Sequence, residues 1–187
     1  MKTSLQHFQE GTAFHRAGEL DACIVEYQEA RRLNPSFPQA HYDLGLAYQQ
    51  KGRFDEAIEE YRQAIRLSPE SSKAHSSLGL MLQAKGLVDE AVAEYQEALD
   101  LAPHLFSANF HSADVLRLRG DLKAAVARYR IAIGRRPDYA DAHRHLGLAL
   151  AGMAGRGERD QERPVQAGGG GCAGRRAVGY TDDYARD

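Results

Sequence analysis

Cysteine is scarce in this chain of 187 residues, with only Cys23 and Cys172 present. Two cysteines cannot form a disulfide framework, so the fold must rest on apolar packing, and a reducing cytoplasm is the expected compartment. Charge of one sign is also lacking. Lysine and arginine number 24 against 26 acids, for a net charge of −2. That balance offers no general attraction to a DNA backbone or an anionic membrane, so neither is an expected partner. Long hydrophobic runs are missing. The longest, Leu146–Ala154, has nine residues and includes two glycines, far short of the ~20 that span a bilayer. Residues 1–11 have no apolar stretch of the kind a secretory signal needs. Catalytic motifs are absent too: there is no His-Glu-x-x-His, Gly-x-Ser-x-Gly, dinucleotide fingerprint or Cys-x-x-Cys. No enzyme activity and no cofactor are therefore expected. The length suits one domain with a real core.

What the chain does have is a period. Pro35, Pro69, Pro103 and Pro137 lie 34 residues apart, as do Tyr27, Tyr61, Tyr95 and Tyr129, and Gly18, Gly52, Gly86 and Gly120. A fixed period of this size marks a stacked-repeat architecture. The units are framed as 4–37, 38–71, 72–105 and 106–139, with a half unit at 140–153. In the second unit, Leu44, Ala47 and Tyr48 fall at helical spacing, and Gly52 ends that helix. Asp55 is expected to cap a second helix whose apolar face is Ala57, Ile58, Tyr61, Ala64 and Ile65. Pro69 closes the unit, since proline cannot continue a helix. Each unit is thus predicted to be helix–turn–helix. Gly11, Gly45, Gly79, Ala113 and Gly147 hold equivalent places inside the first helices. A helix-interior glycine costs about 1 kcal/mol relative to alanine, so its recurrence points to a close approach there. Cys23 stands where later units have Ala57, Ala91 and Ala125, and reads as a buried packing thiol.

Eight histidines invite a metal reading. His7, His41, His75 and His143 hold one equivalent place, with Asn109 in the remaining unit. Stacked helices lie ~10 Å apart, whereas zinc ligands converge to ~2 Å from one ion. These histidines are therefore read as a repeated half-buried packing residue, and no metal is expected.

The pattern Leu44-Gly45…Tyr48…Gly52…Ala57…Tyr61…Ala64…Pro69, repeated over residues 4–153, resembles the tetratricopeptide repeat (TPR). The departures are Ser112-Ala113 for Leu-Gly, and histidine for the large aromatic common early in the first helix. The resemblance implies an all-α, right-handed superhelical solenoid whose first helices line a concave groove. It places Phe8, Thr12, Tyr42, Asp43, Leu46, Gln49, Lys73, Leu80, Phe110, His111, Asp114, Arg117 and Arg144 on that groove. Phe8, Tyr42, Leu46, Leu80, Phe110 and Leu148 would form an apolar floor, and Gln49, Gln50, Asp114, Arg117 and Arg144 would bond a ligand backbone or its polar side chains. A peptide or protein partner is expected, with the chain acting as a non-catalytic scaffold or adaptor. The alternative is the truncated TPR arm of a larger enzyme, such as a glycosyltransferase. A carboxylate clamp for chaperone tails is not expected, because Phe8, Thr12 and Asp43 occupy the places its lysine and asparagines need.

After Met153 the register fails. Arg159, Arg163, Gln166 and Gly171 stand where Ala, Tyr, Ala and Pro should recur. Residues 154–187 contain no leucine, isoleucine, phenylalanine or methionine and cannot offset their ordering entropy, so disorder is expected. Three readings stand for this segment: a flexible tail, the product of GC-rich DNA read out of frame, or a Gly/Arg RNA-binding segment. Gly168–Gly171 lacks the Gly-Lys-Ser/Thr ending of a phosphate loop. Without a following helix, Leu146 and Leu150 would stay exposed unless the tail, a partner or a second copy covers them, which opens a route to self-association.

Overall fold

The structure is a computed structural model that describes residues 1–161, with side chains to Gly155. Helices follow one another without strands among the described residues: α1 (Ser4–Ala17), α2 (Leu20–Leu33), α3 (Pro38–Gln50), α4 (Phe54–Leu67), α5 (Ser72–Ala84), α6 (Val88–Leu101), α7 (Phe106–Leu118), α8 (Leu122–Arg135) and α9 (Ala140–Gln161). Each odd-numbered helix up to α7 pairs with the next as a hairpin, and successive hairpins stack along the chain. The result is an all-α helix–turn–helix solenoid.

The turns follow from the recurring glycines. Gly18, Gly52, Gly86 and Gly120 adopt φ of 78°, 72°, 78° and 82°. This left-handed conformation strains any residue with a Cβ. It lets the Arg53 N–H reach back to the Tyr48 carbonyl at 2.9 Å and satisfy the end of α3. In α9 the corresponding place is Ala154. The helix does not stop there and runs on to Gln161. It thereby takes in residues 154–161 of the segment expected to be disordered, and the remaining tail readings concern residues outside those described. A second correction concerns Asp55. The N-cap of α4 is Arg53, and Asp55 lies in the first turn, where it meets Lys85 of the following unit. Asp21–Lys51 and Asp89–Arg119 repeat that link. A carboxylate in the first turn complements the helix dipole without capping.

The interior glycines also have a defined neighbour. A Cβ placed on Gly11, Gly45 or Gly79 would lie 2.7 Å from the ring of Tyr27, Tyr61 or Tyr95. The close approach is therefore between the first-helix backbone and the tyrosine of the second helix. Those tyrosines, with Tyr129, are among the most deeply buried side chains.

The repeated histidines do more than fill space. His41 Nδ1 lies 2.7 Å from Glu60 Oε2, and its Nε2 lies 3.0 Å from the Pro35 carbonyl. His75 repeats this with Glu94 and Pro69, and His7 pairs with Glu26. The ring thus ties the first helix both to its own second helix and to the preceding inter-unit loop. Glu60 also meets Arg31 of the unit before. In the fourth unit Asn109 donates to the Pro103 carbonyl at 3.0 Å, but Arg128 replaces the glutamate. The Asn109 Oδ1 is buried there without a hydrogen bond to any described group.

Candidate functional site

The second-helix tyrosines point their hydroxyls across the unit to the first helix. Tyr61 OH donates to Gln49 Oε1 at 2.7 Å, and Tyr95 OH donates to Gln83 Oε1 at 2.8 Å. With its oxygen held, each glutamine amide is left with N–H donors to offer. The same place in the fourth unit is Arg117, whose Nε donates to Tyr129 OH at 3.4 Å. In the first unit it is His15, edge-on to Tyr27 at 6.2 Å. Tyr27 OH turns instead to Thr12 Oγ1 at 3.4 Å. In each of units two to four, one donor-bearing side chain is therefore braced by a buried tyrosine.

Two carboxylates stand beside this row. Asp43 accepts from Gln39 Nε2 at 3.1 Å. Burial pushes its carboxyl above the usual range, opposed by Gln39 and by the charges of His15 and Lys73. Those neighbours come from three successive units, so the side chains converge across the solenoid. Asp114 Oδ1 accepts from Tyr129 OH at 2.5 Å and from His145 Nδ1 at 2.6 Å, with Arg117 Nη2 3.9 Å away. His111 stacks on Tyr95 at 6.2 Å, and burial pushes its imidazole below the usual range against the pull of Asp114. On the same first helices, α3 and α5, Tyr42, Leu46 and Leu80 are half-buried and packed against the core. Phe8 is similarly half-buried, against Tyr27 and Phe37.

Two of the expected groove residues behave differently. Phe110 is only 5% exposed. Its ring packs on Phe106, Tyr139, Tyr129 and His145 at 5.2–6.1 Å, so it is a core residue of the fourth unit and not part of an apolar floor. The place is interior in the third unit as well, where the equivalent Ser76 is also buried. Arg144 is exposed but turns to Asp141 of its own helix at 2.7 Å. Sequence reasoning missed Leu118, which is 72% exposed. With Gln83, Val88, Val115 and Arg119 it lines a cleft at the edge of the third and fourth units. Its signal was a leucine where the second and third units carry Gln50 and Ala84.

Comparison with known proteins agrees with this architecture. The family model described as "Tetratricopeptide repeat" matches residues 42–105, and the one described as "TPR repeat" matches residues 11–52 and 113–153. The chain belongs to the tetratricopeptide repeat family. No curated protein matches it. Among solved structures it resembles that of MamA protein, with a TM-score of 0.72 and 23% identity over 84% of this chain and 86% of the other. It also resembles YrrB, described as a TPR protein with an unusual peptide-binding site, with a TM-score of 0.66 and 22% identity over 86% and 80% of the two chains. The first TPR of Spaghetti (RPAP3), solved bound to the HSP90 peptide SRMEEVD, matches with a TM-score of 0.61 and 23% identity over 63% of this chain and 94% of the other. At these identities the likeness is one of fold. No described helix is long and apolar enough to cross a membrane.

Proposed function

We propose that the chain is a cytoplasmic, non-catalytic scaffold that holds an extended peptide or protein segment along its first helices. The observation that carries this reading is the row Gln49, Gln83 and Arg117, each braced on a buried tyrosine hydroxyl. Donors fixed in advance lose little entropy on binding a ligand carbonyl. Tyr42, Leu46 and Leu80 supply apolar contact beside them, and Asp43 and Asp114 supply acceptors. Two of the structural relatives are themselves described with a peptide or a peptide-binding site, which favours the same use here. The test is an arrayed peptide library read with the full chain, followed by the variant Gln49→Ala/Gln83→Ala. Loss of two ligand hydrogen bonds should weaken selected peptides by about tenfold or more with helicity unchanged. Affinity unaltered in the double variant would remove the groove assignment.

A further inference from the structure

The last helix repeats the first-helix pattern, but among the described residues no second helix follows to pack against it. Gly147 occupies the place of Gly11, Gly45 and Gly79, each of which lies under a tyrosine ring at 2.7 Å. Among the described residues nothing lies within 4 Å of a Cβ on Gly147. His143 occupies the place of His7, His41 and His75. It keeps the bond to the preceding loop, with Nε2 2.7 Å from the Pro137 carbonyl. The other three each bond a second-helix glutamate at 2.7 Å, and among the described residues His143 has no such partner. Leu150 is 42% exposed, whereas its equivalents Tyr48 and Leu82 are 5% and 1% exposed. Three independent features of one helix face thus lack the same thing.

The molecule itself specifies what fits. In the first three units the covering helix reads small-x-x-Glu-Tyr-x-x-Ala: Cys23, Glu26, Tyr27 and Ala30, then Ala57, Glu60, Tyr61 and Ala64, then Ala91, Glu94, Tyr95 and Ala98. The tyrosine ring seats on the glycine, the glutamate bonds the histidine, and the small residues let the two backbones approach. We propose that the open face of α9 docks an amphipathic helix of another protein, with Glu-Tyr at its centre and small residues four before and three after the tyrosine. The imidazole of His143 and the ligand carboxylate supply the polar complementarity, and Gly147 the notch. A second folded copy cannot supply such a helix. Its Tyr27, Tyr61 and Tyr95 are already buried in their own units, and α8 carries Arg128 before Tyr129. The chain just beyond Met153 does not supply it either: it keeps Glu162 at the glutamate place but has Arg159 and Arg163 at the small-residue and tyrosine places, and α9 runs on unbroken to Gln161 where a turn would be needed. This docking mode is helix-on-helix and is separate from the groove.

The probe is a blocked, fluorescein-labelled peptide of the chain's own α6 sequence, Val88–Leu101, titrated with the full chain by fluorescence anisotropy. Saturable binding is expected, weakened about tenfold or more by Tyr95→Ala in the peptide and several-fold by Glu94→Gln. In the protein, Gly147→Leu fills the notch. It should weaken binding about tenfold or more while preserving the fold, because the position is exposed and leucine is a better helix former than glycine. Gln49→Ala/Gln83→Ala should leave this binding unchanged, so loss of the groove reading and loss of this one are separable. No binding up to about 1 mM peptide, or binding indifferent to Gly147→Leu, would overturn the proposal. So would light scattering that finds a dimer dissociated by Gly147→Leu, since a second copy would then occupy the face.

Discussion

At the scale of single residues, the same amino acid has opposite values at equivalent places. Gly45 lies under the Tyr61 ring, where a methyl group would come within 2.7 Å of ring carbon. Gly45→Ala is therefore expected to destabilise the fold by about 1–3 kcal/mol through overpacking, despite the gain in helix propensity. Gly147 faces open space among the described residues. Gly147→Ala should stabilise by about 0.5–1 kcal/mol, the propensity difference alone. Urea unfolding followed by circular dichroism measures both, and a shared sign for the two variants would contradict the packing described. The pair also separates a glycine whose notch is filled within the chain from one whose notch stands open among the described residues.

At the scale of the element, the second helices are anchored by tyrosines that must stay neutral. Burial pushes the Tyr27 hydroxyl up to about 12, and Tyr61, Tyr95 and Tyr129 are pushed up for the same reason. In the unfolded chain these groups ionise near ~10. The unfolded state thus releases protons first as pH rises, and native stability should fall. The contribution is intact below about pH 10 and is lost progressively from there through the raised native values. Urea midpoints that hold steady to about pH 9 and then drop steeply are the expected result. Much of this element was legible in the sequence. The 34-residue spacing of Gly, Tyr and Pro gave the hairpins, and Gly45 and its equivalents signalled close approach. The hydrogen bonding of the histidines was not read, although each glutamate lies 19 residues after its histidine. Phe110 was misplaced because a family position says which way a side chain usually points. It does not say how deeply the place is buried, and Ser76 and Phe110 are buried where the equivalent Phe8 and Tyr42 are half-buried.

At the scale of the whole molecule, the core is divided. One set of buried side chains runs from Cys23 through Tyr95, with Val115 joining it, and another gathers around Phe110, Tyr129 and Ala149. Between them Ala98, Leu99 and Ala108 form a small junction. Repeat arrays unfold in sections when one interface is weaker than the rest. Hydrogen exchange followed by mass spectrometry should show residues 106–155 opening at lower denaturant than residues 4–105; a single cooperative opening would contradict the division. The braced donors recur once in each of units two to four, and packed helix layers lie ~10 Å apart, while a polyproline-II segment advances ~3.1 Å per residue with every third residue on the same side. Under the proposed function, three ligand residues would match one unit. Insertion of a single residue in such a segment would then throw every later carbonyl out of step with its donor, so the row would act as a ruler as well as a set of contacts.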